Sequence, residues 1–110
     1  MKANQLNRGQ LKRIMYIENK QGLIGGVNAR IGWVSFSKTG RTLYYQDKAF
    51  INNGRRGISG NYLDIDTGEE YWISGVKKIG TNAHPREKIT AMSIDEDALE
   101  AYNILRKSGH

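Results

Sequence analysis

The chain has 110 residues, 38% of them hydrophobic and 25% charged, which fits one domain with one core and leaves no room for a second. It contains no cysteine, so disulfides, thiolate metal sites and a cysteine nucleophile are excluded. The net charge of +6 is unevenly divided: residues 1–60 hold 11 Lys and Arg against two carboxylates, a net of +9, and residues 61–110 hold six against nine, a net of −3. A basic half of this size attracts polyanions through its long-range field and through counterion release.

Residues 1–12 are polar and basic without periodicity. They read as a flexible basic arm and not as a secretory signal, and no apolar run approaches the roughly 20 residues of a membrane span. The expected compartment is the cytoplasm, with no membrane partner. Residues 13–18 are a short β-type run, and residues 19–22 signal a turn. Residues 22–28 are glycine-rich and carry no assignable pattern.

Residues 29–37 are the clearest strand. Ile31, Trp33 and Ser35 share one face, and Val34 and Phe36 the other. Both faces are largely apolar, which predicts a central strand. Lys38-Thr39-Gly40 makes a tight connection. Residues 42–46 follow, with Leu43 and Tyr45 alternating against Thr42 and Tyr44, and residues 48–51 continue the sheet after a kink near Asp47. Residues 52–57 are a loop by composition.

Residues 61–66 and 69–74 form the best hairpin, turning at Asp66-Thr67-Gly68. A short strand is expected at 76–79 within a loop that runs to Pro85. The helix is expected over about 94–107. Ser93 is its N-cap, and Glu96 completes a capping box. Acidic residues fill its first turn, and Arg106 and Lys107 its last. Ile94, Ala98, Tyr102 and Leu105 make its apolar stripe, with Leu99 and Ala101 beside it. The expected class is mainly β (α+β): a small curled antiparallel sheet or SH3-like partly open barrel with one C-terminal helix, occupying residues 13–110.

Two stretches carry a resemblance. They are Ala-Arg-Ile-Gly-Trp-Val-Ser-Phe-Ser-Lys-Thr-Gly-Arg-Thr-Leu-Tyr-Tyr at 29–45 and Gly-Asn-Tyr-Leu-Asp-Ile-Asp-Thr-Gly-Glu-Glu-Tyr-Trp-Ile-Ser-Gly-Val-Lys-Lys at 60–78. Together they resemble a family of small, functionally uncharacterised bacterial proteins, some labelled after deoxyxylulose-phosphate synthase. The resemblance implies no activity and no catalytic residues. The synthase label fails on physical grounds, because a thiamine-diphosphate enzyme needs large domains to hold its cofactor and metal.

No catalytic constellation is evident, so the chain is not expected to be an enzyme, and no cofactor is expected. The histidines are His84, held extended before Pro85, and His110 at the last position. His84 beside Lys77 and Lys78 leaves a small RNase or hydrolase open as a minor reading. Asp64, Asp66, Glu69 and Glu70 fit a hairpin better than a calcium loop, since the glycine falls at the fifth position from Asp64 and the twelfth is Gly75, with no carboxylate. No metal is therefore expected.

A binding surface fits the pattern better. Arg30, Lys38, Arg41 and Lys48 interleave with Trp33, Tyr44 and Tyr45, and Arg55 and Arg56 add charge in a glycine loop. The candidate ligand-binding residues are Arg30, Lys38, Arg41, Tyr44, Arg55 and Arg56. Rings that stack on bases beside cations that track phosphates suit single-stranded RNA or DNA, and an acidic protein surface is the other polyanion. Trp33, Tyr45, Tyr71 and Trp72 have a competing use as core in so small a domain. The alternative function is a bacterial immunity or antitoxin-type protein that neutralises a toxin by protein–protein binding.

Overall fold

A computed structural model describes residues 8–54, 60–76 and 92–107, with side chains from residue 11 onward. Its strands are β1 (Arg8–Asn19), β2 (Ala29–Ser37), β3 (Thr42–Tyr45), β4 (Lys48–Asn52), β5 (Tyr62–Asp64), β6 (Glu70–Gly75) and β7 (Met92–Ile94). A 3₁₀ turn (Glu96–Ala98) then leads into the helix α1 (Leu99–Lys107). Among the described residues no helix is long and apolar enough to cross a membrane.

The first six strands form an up-and-down meander, each antiparallel to the next, and β6 pairs back onto β1. The sheet therefore closes into a barrel instead of remaining partly open. Closure gives every strand in the ring a neighbour on both sides, although among the described residues β1 meets β6 only over Met15–Asn19. β1 does the closing. Its Ile17 faces Arg30 of β2 on one side and Ile73 of β6 on the other. Arg8 pairs with Ser37 across a bulge between Arg8 and Lys12, so residues 8–12 belong to the strand and not to an arm.

Alternation sets what lies inside. Met15, Ile17, Ile24, Val34, Leu43, Tyr45, Phe50, Tyr71 and Ile73 fill the interior, with Phe36 and Tyr62 packed against them. The Phe50 and Tyr71 rings meet at 4.6 Å and 58°, a tilted contact that suits their quadrupoles. A second apolar cluster lies on the outer wall, where Tyr16, Ala29 and Ile31 are covered by Trp72, Val76, Ile94 and Tyr102. The helix thus packs through Tyr102 on the outside of β1 and β2.

Several connections depart from expectation. Residues 48–51 do continue the sheet, but as part of a separate strand, β4, and the kink expected near Asp47 is a full reversal at Gln46-Asp47, where Tyr45 pairs with Lys48. Gln46 takes φ 54 there, a left-handed value with no glycine to announce it. Residues 22–28 end in an Ile24–Val27 bridge whose two central residues, Gly25 and Gly26, both have positive φ. That is the chemistry a tight hairpin turn requires. The expected strand at 76–79 falls mostly outside the described residues, and β6 ends at Gly75.

Ser93 is not a helix cap. It sits in β7 opposite Arg30, and Asp95 is the residue that precedes the 3₁₀ turn. β7 runs parallel to β2 along Ala29–Ile31, the stretch that β3 leaves uncovered.

Three phenols are buried in this fold, Tyr16, Tyr45 and Tyr71, each at most 1% exposed. Burial is the main cause that raises all three, and Tyr71 is pushed up to about 12. Donation to Glu18 raises Tyr16 further, and donation to Asp95 raises Tyr45 further. An unfolded phenol ionises near pH 10 and these folded ones ionise later, so their stabilising effect is complete below that pH and is lost above it. At about pH 11 the native protein is expected to hold three of its six tyrosines un-ionised, read as tyrosinate absorbance against the urea-unfolded chain. Unfolding free energy should fall by roughly 1.4 kcal/mol per pH unit for each buried phenol as alkalinity rises beyond pH 10. Native absorbance equal to that of the unfolded chain would contradict this.

Candidate functional site

The strand directions separate the expected cations. β2 starts at the barrel end that holds the Gln46-Asp47 turn and finishes at the end that holds the Lys38–Arg41 connection. At roughly 3.3 Å per residue, Arg30 and Lys38 lie about 25 Å apart along the strand. They do not share a site.

Arg30 is engaged within the fold. Its Nη1 donates to Asp95 Oδ1 at 3.0 Å, its Nε to the Ile24 carbonyl at 3.0 Å, and its Nη2 to the Gly25 carbonyl at 2.6 Å. The other oxygen of Asp95 accepts from the Tyr45 hydroxyl at 2.5 Å, and Gln46 Nε2 donates to that hydroxyl at 3.3 Å. The guanidinium fork is therefore a clasp between the β1–β2 turn and the segment entering the helix. Arg30, Gln46, Ser93, Ile94, Asp95, Glu96 and Asp97 line an open depression here, and its three carboxylates outweigh its one cation. It does not suit an anion.

Lys38 and Arg41 lie together and exposed in the β2–β3 turn. The turn is tied locally. Gly40 N donates to the Ser37 carbonyl at 2.9 Å with φ 77, and Thr42 N donates to Ser37 Oγ at 3.1 Å. Tyr44 is half-buried on the outer wall, with Ser35 of β2 on one side and Ala49 of β4 on the other. Ser35 is in turn opposite Lys12 of β1, which is exposed.

Trp33 shares this outer wall, next to Ile14. It is 36% exposed, and its Nε1 donates to the Asp97 carbonyl at 2.9 Å. Trp33 is therefore not core, whereas Tyr45 and Tyr71 are, and Trp72 is packed in the outer cluster. Residues directly opposite on neighbouring strands have Cβ atoms roughly 5 Å apart. Lys12, Ser35 and Tyr44 thus form one row across the wall, with Trp33 to one side of it along β2 and Lys38 and Arg41 beyond it on the other, in the β2–β3 turn.

No carboxylate occurs in the segments that build this wall, residues 11–14, 33–44 and 49–52. Arg55, Arg56, Lys77, Lys78 and His84 lie outside the described residues. Lys12 escaped the sequence reading because it was assigned to the arm; the β-type run that follows it was the available signal.

Other charges have local duties. Lys20 Nζ pairs with Glu18 at 2.9 Å, and Glu18 also accepts from Tyr16 at 2.6 Å, all on the barrel's outer wall. Asp64 Oδ1 accepts from the backbone N–H groups of Asp66 at 2.8 Å and Thr67 at 3.3 Å, which shapes the β5–β6 turn. Lys48 Nζ lies 3.9 Å from its other oxygen. The acidic run thus organises a turn.

Comparison with protein-family models, with curated proteins and with solved structures finds no match to this chain.

Gly32 is where the clasp meets the barrel wall. A Cβ there would sit 2.6 Å from Tyr45 Cε1 and would also collide with the Asp95 carboxylate. The expected cost of Gly32→Ala is about 1–3 kcal/mol, the usual range for overpacking, read from the urea midpoint at unchanged m. Gly75→Ala meets nothing within 4 Å and serves as the control. An unchanged midpoint for Gly32→Ala would show that Asp95 does not occupy this niche.

Proposed function

We propose that the protein is a binding module for a polyanion, best suited to single-stranded nucleic acid, and that it binds on the outer wall of β1, β2 and β3. The observation that carries this reading is the placement of Tyr44 and Trp33 among exposed Lys12, Lys38 and Arg41, on a wall built without carboxylates. Aromatic rings stack on bases whatever their identity, and flanking cations follow the phosphates. A strand-built wall holds the rings in place, so little ordering entropy is lost on binding. Arg30 has no part in the proposed surface, because its guanidinium already serves Asp95 and two carbonyls.

The test is fluorescence anisotropy of a labelled oligo-dT or oligo-U titrated with the whole chain at several salt concentrations. Three cations on phosphates predict a log–log salt slope of about −2 for a single strand. Replacing Lys38 and Arg41 together by Ala should flatten that slope by about 1.4. Tyr44→Ala should weaken binding by about 1–3 kcal/mol, roughly 5- to 150-fold, and leave the slope unchanged. Absence of binding at low salt, or binding indifferent to all three substitutions, would remove this function.

A further inference from the structure

One side-chain polar atom among the described residues is buried with no hydrogen-bond partner, and it is Asn53 Oδ1. Asn53 follows β4 directly. Its backbone N donates to the Asn61 carbonyl at 3.0 Å, and its Nδ2 to the Gly60 carbonyl at 3.3 Å. The second bond fixes which end of the amide is nitrogen, so the unpartnered end is the oxygen. Gly60 is itself held in place. Its N donates to Glu70 Oε1 at 3.2 Å, and a Cβ on it would lie 2.8 Å from Glu70 Cβ. A buried oxygen without a donor calls for an explanation.

The next residue is a glycine, and Asn53-Gly54 is the single Asn-Gly pair in the sequence. Conformation demands the glycine, since Gly54 has φ 71. The pair carries a chemical liability, because no Cβ shields the glycine nitrogen. That nitrogen, once deprotonated, can attack the asparagine Cγ. The Cγ–Nδ2 bond then breaks, ammonia leaves and a five-membered imide remains. Water opens the ring at either carbonyl and gives aspartate or isoaspartate. In balance, the side-chain amide and one water become a carboxylic acid and ammonia.

The fold opposes this reaction at three atoms. Gly54 N donates to Asn52 Oδ1 at 2.8 Å, so the proton that must leave is engaged. The bond from Nδ2 to Gly60 restrains rotation of the amide toward the attacking nitrogen. The addition places negative charge on Oδ1, which is shut away from water and from every donor. Such a charge is stabilised by aimed donors and is costly without them.

We propose that Asn53-Gly54 is a latent deamidation site, held shut while Asn52, Asn53 and Gly60 keep these bonds and reactive once they open. Asn52 is its lock. The change is one-way in its effect on the fold. A carboxylate at position 53 has no hydrogen for the Gly60 carbonyl, so two acceptors face each other, and isoaspartate also adds a methylene to the main chain. Nothing in this depends on polyanion binding.

The test incubates the whole chain at mildly alkaline pH, with and without denaturing urea. Mass spectrometry of the peptide containing Asn53 follows the exchange of amide for acid. The native rate should lie at least roughly tenfold below the rate in urea, the factor that about 1.4 kcal/mol of barrier produces. Asn52→Ala removes the acceptor and should speed the native reaction roughly fivefold, the effect of one ordinary hydrogen bond, with the rate in urea unchanged. Asn52→Asp keeps an acceptor and should react as slowly as the native chain, which separates the lock from a general loosening at position 52. Asn53→Asp, the product itself, should lower the urea midpoint. A native rate equal to that in urea overturns the proposal, as does an Asn52→Ala chain no faster than the native one. So does an Asn52→Asp chain as fast as Asn52→Ala, and an unchanged midpoint for Asn53→Asp overturns the one-way effect.

Discussion

The Asp95 carboxylate joins the two parts of the molecule. It lies where the chain leaves β7 and turns toward the helix, and both its oxygens point back into the barrel, one to Tyr45 and one to Arg30. A mostly buried ion pair is worth having only when further hydrogen bonds satisfy the remaining donors and acceptors. Those bonds are present here. The phenol completes the carboxylate, and the carbonyls of Ile24 and Gly25 complete the guanidinium. The space for the carboxylate comes from the missing side chain of Gly32. One acid thereby fixes the β1–β2 turn, the end of β3 and the start of the helix against each other.

The same contact alters the meaning of the charge asymmetry. The basic half of the sequence does not present all its cations to a partner. Arg30 is held by Asp95 and Lys48 lies near Asp64, both acids of the other half, and Lys20 is held by Glu18 of its own half. The two halves are therefore knitted together partly by their opposite charge. The cations left exposed in the described strands and turns are fewer and more localised: Lys12 and Arg13 on β1, and Lys38 and Arg41 at the β2–β3 turn. A charge count along the sequence overstates the breadth of the basic face and does not show where it lies.

Much of the barrel was legible because its signals are local. Alternation grouped Val34 with Phe36 and Leu43 with Tyr45, the sets that turn out to face the interior, and Asp66-Thr67-Gly68 marked the β5–β6 turn. The misses share a cause: they depend on contacts distant in sequence. Gln46 adopts a left-handed conformation that no residue preference announces. β7 is three residues long and exists because β3 leaves part of β2 unpaired. Ser93 and Glu96 satisfy the spacing of a capping box, yet the strand pairing of Ser93 and the clasp at Asp95 override that local preference. Trp33 was open between core and surface, because a small domain usually needs its large rings inside. Closure of six strands filled the interior with tyrosine and phenylalanine instead, and left the indole on the wall. Of the expected binding residues, Lys38, Arg41 and Tyr44 fall in one region, and Arg30 falls at the far end of β2, where Asp95 from distant sequence holds it.

Trp33 also sets a border for the proposed surface. Its indole N–H holds the Asp97 carbonyl, which brings the acidic 3₁₀ turn against one margin of the wall. Glu96 and Asp97 are exposed there and repel an anion approaching from the helix side. Attraction rises in the other direction, past Tyr44 and toward Lys38 and Arg41. Among the described residues, the charge on this wall therefore grades from acidic at the helix side to basic at the β2–β3 turn. The helix face that carries Leu99 and Ile104 lies beyond the acidic margin. Acidic residues thus divide an aromatic and basic wall from an apolar helix face.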